Sequence, residues 1–306
     1  MRNDEMMNDE GMRLGRVGVV IPVHNRRVML RRAVESVLGQ TYKEFDLVVV
    51  DDASDEDLCE VRDWVEASGH RWLRLEQQVG PAEARNRGAQ WQGLAKNEWL
   101  AFLDSDDVWV AEKLQHQLRW HQRHEQSRIS QCEESWVRKG VLVKKKVHQL
   151  QPQGEIFENC VRSCCISPSC VMMKRELWQE LGGFDARFPV CEDYELWLRV
   201  ALAHPVGLVL GETEPLVIRH GGHADQLSFA LPAMDRFRVW ALLKLMNTGG
   251  LSEAQLDVVE QGILQRAVVL AKGAKKRGKD EAARVYGRAQ KGEWIEMEEE
   301  MRSLCC

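Results

Sequence analysis

Residues 17 to 25 read Val-Gly-Val-Val-Ile-Pro-Val-His-Asn. A near-continuous apolar run that stops on polar residues is the pattern of a strand buried on both faces of a parallel sheet. Residues 28 to 40 follow with Leu30, Val34, Val37 and Leu38 at helical spacing, and Gly39 closes that pattern. Asp46-Leu-Val-Val-Val50 repeats the strand signal and ends on Asp51-Asp52-Ala-Ser-Asp55, after which 57 to 67 returns to helical spacing. Trp72 to Leu75 predicts a third strand, Pro81 to Leu94 a helix, and Trp99 to Leu103 a fourth strand that runs into Asp104-Ser-Asp-Asp107. Alternating units of this kind predict the α/β class: a Rossmann-like, wound, mostly parallel sheet that presents ligand groups just beyond its carboxyl edge.

Further along, 110 to 125 predicts a helix, and 131 to 155 is polar and Lys-rich, broken by Gly140, Pro152 and Gly154, as in a hairpin or loop insertion. Residues 176 to 203 read as a short helix, the turn Gly182-Gly-Phe-Asp185 and a longer helix opened by Cys191-Glu-Asp193. A last strand near Val206 to Leu210 leads to Leu216-Val-Ile-Arg-His220. From about residue 230 the strand signal ends, and 234 to 246, 252 to 272 and 280 to 291 carry helical spacing. The expected organisation is a disordered lead-in over 1–15, an α/β domain over 16–228 and an all-helical C-terminal appendage over 229–306.

Composition narrows the partners. The 306 residues carry 42 Lys and Arg against 47 Asp and Glu, a formal charge of −5, which argues against gripping a nucleic-acid backbone. Hydrophobic residues at 44% and charged residues at 29% suit a folded globular chain. The longest apolar runs fall far short of the roughly 20 residues that span a bilayer. Residues 1 to 16 lack the apolar stretch of a secretory signal, so a cytoplasmic location is expected. Nine scattered cysteines then read as thiols. Cys160, Cys164, Cys165 and Cys170 lack paired C-x-x-C spacing and predict buried thiols rather than zinc ligands. Lys144 to Lys146 and Lys272 to Lys279 read as solvated faces, the first also suited to an anionic acceptor or a lipid head group, and Cys305-Cys306 reads as a frayed end.

Several acidic clusters fall where ligands are expected. Asp104 and Asp106 follow a buried strand, and hard divalent cations take one or two carboxylates together with diphosphate oxygens. The same residues also read as an acid-rich helix start. Asp51-Asp52 suits a base imide or ribose hydroxyl, or equally a helix cap shared with Ser54 or Asp55. Arg85, on the helix after Gly80-Pro81, has the fork that pairs with a diphosphate. Glu192-Asp193 stands at a helix start near the core's rim, a place for a general base. His220 and His223 lie in a glycine-broken loop, where imidazoles ligate metals or cap strands.

With these residues placed, the chain resembles a family 2 glycosyltransferase of the GT-A fold, over roughly 16 to 228. The resemblance rests on VVIPVHN at 19–25, VVVDDAS at 48–54, GPAEARNRG at 80–88, FLDSDDVW at 102–109, SPSCVMMKRELWQELGGFD at 167–185 and CEDYELWLR at 191–199. It implies an inverting, metal-dependent transfer of sugar from a nucleotide-sugar, a UDP-sugar by family expectation, to a hydroxyl acceptor in polysaccharide or glycolipid assembly. Pro22, Asn25, Asp51, Asp52, Arg85 and Asp104 would hold the nucleotide. Asp104 and Asp106, completed by His223 or secondarily His220, would hold Mn²⁺ or Mg²⁺. Asp193 would be the base, with Glu192 orienting it or the acceptor. His24 departs from the family, where tyrosine is common. The helical tail resembles a hairpin of the tetratricopeptide sort, suited to docking on a protein or, peripherally, on the inner face of a membrane. Two other readings are a scaffold that binds nucleotide-sugars without turnover and a sugar nucleotidyltransferase. The latter normally carries a glycine-rich phosphate loop where this chain has Pro22-Val-His-Asn25.

Overall fold

The computed structural model describes residues 14–146, 149–212, 214–222, 231, 233–294 and 297–305. Strands β1 (Val17–Val23), β2 (Phe45–Asp51), β3 (Arg71–Arg74) and β4 (Trp99–Phe102) run parallel in the order β3-β2-β1-β4. Between them pass α1 (Arg27–Leu38), α2 (Cys59–Ala67) and α3 (Pro81–Gln90). The winding leaves β1 in both directions, so a crevice opens beyond the carboxyl ends of β1 and β4, the switch point where open α/β sheets bind ligands. Pro22 sits inside β1 at little cost. Pairing with β4 ends at Val20, so the missing N–H breaks no ladder on that side.

Strand alternation builds two cores. Val19, Ile21, Leu47 and Val49 face α1, α2 and α4 (Lys113–Arg123), whereas Val20, Val48, Val50, Leu100 and Phe102 face α3 and α7 (Glu192–Ala203). Gly88 sets how near α3 comes, because a Cβ there would lie 2.4 Å from Val20 and 2.9 Å from Val50.

Past β4 the structure departs from simple alternation. The short β5 (Val108–Trp109) belongs to a second sheet. The polar segment expected as a hairpin or insertion divides. Its first part is β6 (Ile129–Cys132) of the main sheet, and the rest is a hairpin of β7 (Glu134–Arg138) and β8 (Val141–Val143). An antiparallel strand, β9 (Val171–Lys174), inserts between β4 and β6, and β10 (Gly207–Val209) completes seven strands. Leu216 to His220 is no appendix of β10. As β11 (Val217–Gly221) it joins β5, β7 and β8 in the second sheet, from which Arg219 and His220 reach the crevice.

Helices α5 (Phe157–Arg162), α6 (Arg175–Glu180), α8 (Asp235–Thr248), α9 (Glu253–Lys276), α10 (Asp280–Ala289) and α11 (Met297–Cys305) complete the described elements. A capping box at Ser252 and Gln255 starts α9. The C-terminal helices are continuous with the α3–α7 core through Phe237, Trp240, Leu243 and Ile263. Two surface readings are corrected. Cys305 is buried in α11 against that core rather than frayed. Lys145 is half-buried and paired with Glu134 at 3.3 Å, because the hairpin folds it back over Trp136.

Candidate active site

The loops after β1, β2 and β4, the start of α7 and the end of β11 enclose a cavity of about 440 Å³. Its lining includes six carboxylates, Asp52, Asp104, Asp106, Asp107, Glu192 and Asp193, against three arginines, Arg26, Arg85 and Arg219.

At one end the backbone is bent to a purpose. Asn25, Arg26 and Ala53 hold left-handed φ of 60°, 66° and 55°. Such values cost non-glycine residues about 1 kcal/mol each and gather at functional sites. The Asn25 carboxamide oxygen accepts from the N–H groups of Asp55 and Glu56, tying the β1 loop to the β2 loop. Asp52 accepts from Val79 N–H at 2.7 Å and Gly80 N–H at 2.9 Å, and its own carbonyl accepts from His24 Nδ1 at 2.8 Å. Pro22, Asn25 and Asp52 all line the cavity. Asp51 does not. Its carboxylate is taken by Ser54 N–H at 2.9 Å and Arg74 at 2.5 Å, so its inclusion among the nucleotide-binding residues is corrected to a loop-bracing role.

At the tip of β4, Asp104, Asp106 and Asp107 bring one oxygen each within 4.8 Å of the others. None of them caps α4, which starts only at Lys113 and has no side-chain cap, so the helix-start reading falls away. Arg26 reaches Asp106 at 3.1 Å. Asp107 is buried, accepts from Ser169 Oγ at 2.6 Å and from His220 N–H at 3.0 Å, and burial holds its carboxyl well above the usual range despite Arg219. The sequence reading passed over Asp107, although it closes the same acidic run. Three carboxylates this close repel one another, and a hard oxygen-only donor set fits Mg²⁺ or Mn²⁺. His220 lines the cavity, and His223 lies outside the described residues.

Arg85, only 4% exposed, joins the two ends. It donates to Asp104 at 2.6 Å and to Glu192 at 2.7 Å, so the guanidinium predicted to meet a diphosphate already bridges two carboxylates. The next residue, Asn86, fixes the other wall. Its amide donates to Phe184 C=O at 2.8 Å and accepts from Phe184 N–H at 3.0 Å. Gly183 permits this docking, since at φ 74° a Cβ would stand 2.7 Å from Asn86 and Trp178.

Helix α7 begins after Cys191, a third cavity residue held left-handed at φ 62°. Burial pushes Glu192 up to about 7, with Arg85 opposing. Asp193 accepts from Tyr194 N–H at 2.7 Å on one oxygen and from the Cys164 thiol at 3.3 Å on the other. Cys164 is exposed and Cys165 half-buried, so the expectation of four buried thiols holds only for Cys160 and Cys170. Desolvation of the Cys164 sulfur among its neighbours, reinforced by the Asp193 charge, still keeps that thiol well above its usual range and therefore a donor. Arg26 and Arg219, which line the cavity, and Cys164, which reaches it through Asp193, were not singled out from sequence for this site. Arg26 stands next to Asn25 in the β1 loop, whereas Cys164 and Arg219 come from segments whose path to the site only the fold reveals.

Comparison with known proteins adds a family. The family described as Glycosyl transferase family 2 matches residues 18–182. An uncharacterized glycosyltransferase of Rickettsia felis is 30% identical over 206 residues, covering 67% of this chain and 33% of the relative, so the chain spans about a third of that protein's length. The Escherichia coli UDP-Glc:alpha-D-GlcNAc-diphosphoundecaprenol beta-1,3-glucosyltransferase WfgD is 31% identical over 185 residues, covering 60% of this chain and 69% of the relative. Among solved structures, residues 1–349 of S. aureus TarS in complex with UDP-GlcNAc superpose with a TM-score of 0.65 at 17% identity, covering 94% of this chain and 92% of that one. At that identity the superposition establishes the GT-A fold.

Proposed function

The chain belongs to glycosyltransferase family 2, and from that premise we propose that it moves a sugar from a UDP-sugar to a hydroxyl of a lipid-linked acceptor, with inversion and with a divalent cation. The observation that carries this reading is the convergence in one cavity of the Asp104, Asp106 and Asp107 oxygens with Asp52 on one side and Asp193 on the other. The diphosphoundecaprenol-linked sugar on which WfgD acts, by its name, supports the acceptor class.

In this reading Asp52 holds the base. Its oxygens each accept one backbone N–H and keep lone pairs for a uracil imide. A cation held by Asp104, Asp106 and Asp107 would neutralise charge developing on the departing diphosphate. Arg85 holds Asp104 and Glu192 in register and so sets the spacing between donor and acceptor ends. Asp193, its oxygens oriented by Tyr194 N–H and Cys164, takes the proton of the attacking hydroxyl. Glu192 orients the acceptor.

Calorimetric titration of UDP, GDP and dTDP, with and without Mn²⁺, on the wild type and on Asp106→Ala tests the reading. Binding of UDP alone, dependent on Mn²⁺ and lost in the variant, is the expected result. Failure of UDP to bind, or equal binding without the cation, would overturn it.

A further inference from the structure

The β7–β8 hairpin has a surface that the chemistry in the cavity does not use. From Ser135 to Gly154 the chain carries Arg138, Lys139, Lys144, Lys145 and Lys146 and not one Asp or Glu, within a protein whose formal charge is −5. Lys139 and Gly140, at φ 50° and 78°, turn the chain in two residues. Just past the turn Val141 and Leu142 are 67% and 69% exposed, on a strand at the sheet's edge. Arg138, Lys139, Lys144 and Lys146 are exposed beside them, and among the described residues none of the four is paired with a carboxylate. Lys145 shows the contrast, since it turns inward to Glu134.

A water-facing hairpin tip is ordinarily polar. Two bare aliphatic side chains ringed by unpaired cations match an anionic bilayer surface, where the aliphatic groups leave water and the cations meet lipid phosphates. We propose that this hairpin is where the protein docks on an anionic membrane. The placement relative to the cavity is rigid. β7 pairs with β11 from Glu134 to Arg138, and β11 carries Arg219 and His220 into the cavity. A membrane under the hairpin would therefore hold a lipid-linked acceptor at a fixed offset from Asp193. That purpose rests on the acceptor reading above, whereas the docking itself does not.

The rival surface is the helical tail, where Val268 and Val269 on α9 are 55% and 64% exposed near Lys272, Lys275 and Lys276. Gln261 to Lys279 is likewise free of acids and carries six basic residues. The hairpin is preferred because β11 ties it to the cavity, and the tail is tested beside it.

The test is co-sedimentation with vesicles of phosphatidylcholine alone and of phosphatidylcholine mixed with phosphatidylglycerol. The wild type should sediment with the mixed vesicles only, and added salt should release it. Lys139→Ser with Lys144→Ser should weaken binding at least tenfold, at about fivefold per cation. Val141→Ser with Leu142→Ser should weaken it comparably, and Val268→Ser with Val269→Ser should leave it unchanged. The two hairpin variants remove different chemistry, so misfolding of one, seen in its circular dichroism melt, leaves the other to decide. Wild type that ignores anionic vesicles, folded hairpin variants that bind like wild type, or loss confined to the tail variant would each overturn the proposal. UDP titration of the same variants separates the two readings, because docking can fail while UDP still binds, and the reverse.

Discussion

Helix α7 presents Glu192 and Asp193 to the cavity and, at the end of the same turn, Glu195 to the C-terminal helices. Glu195 accepts from Arg199 on both oxygens and from Lys244 at 2.6 Å, and Lys244 also reaches Asp185 at 2.7 Å. Asp185 is further held by Arg187. That cluster is closed: two carboxylates meet three cations, and although burial would raise Asp185, Arg187 and Lys244 hold it well below the usual range. The cavity cluster is open. Six carboxylates face three arginines, and burial pushes Glu192 up to about 7 even with Arg85 against it. Charges that complete one another brace a fold, whereas like charges held together cost stability and are kept for something that arrives from outside.

Breaking the open cluster should cost chemistry and not folding. Asp193→Asn is expected to slow transfer by about 10²–10⁴-fold, read from UDP release, with UDP affinity and melting temperature unchanged. Retained activity would move the base elsewhere. Breaking the closed cluster should do the opposite. Lys244→Met removes the cation that Glu195 and Asp185 share and leaves them to Arg199 and Arg187. It is expected to cost about 2 kcal/mol in urea unfolding while UDP binds as before.

Acidity should separate the two clusters by sign. Glu192 has a folded pKa of about 7 against an ordinary 4.5, so the folded state holds its proton more tightly, and stability falls as pH rises through that window. Glu192→Gln should flatten that fall, on the order of 2 kcal/mol. Asp185 is depressed, so its contribution is present above the ordinary value of 3.8 and is lost as pH falls below it, and Asp185→Asn should flatten the acid limb instead. Urea unfolding across pH reads both slopes, and a common sign would erase the distinction. The smallest effect belongs to Cys164. Removing a single neutral donor to Asp193 in Cys164→Ala should lower kcat roughly two- to tenfold, with Cys164→Ser restoring it, whereas equal loss in both would mark mere packing.

Much of the first half of the fold was legible because parallel strands buried on both faces leave apolar runs that need no alignment to see, each ending in its polar loop. β9 escaped because Val171-Met-Met-Lys174 is short, carries no alternation and owes its place to an antiparallel insertion between β4 and β6. Within the site, Asp52, Arg85, Asp104, Asp106, Glu192 and Asp193 are brought together around one cavity. Asp51 and Asp52 were indistinguishable as letters. Asp51 is the last residue of β2 and Asp52 the first beyond it, and that one step sends one side chain to Arg74 and the other to the cavity.

Hydrophobic period and strand-end chemistry are local properties, so the amino-acid order alone determined the wound sheet, the loops that carry the site and the acids at their tips. Only the tertiary structure decided which of those acids are shared with cations and which crowd together. Those outcomes depend on Arg85 meeting Glu192, on His220 N–H meeting Asp107 and on Cys164 meeting Asp193, contacts between elements distant in the chain. An ionisable group takes its character from what lies within a few ångströms of it, and sequence separation carries almost no information about that distance.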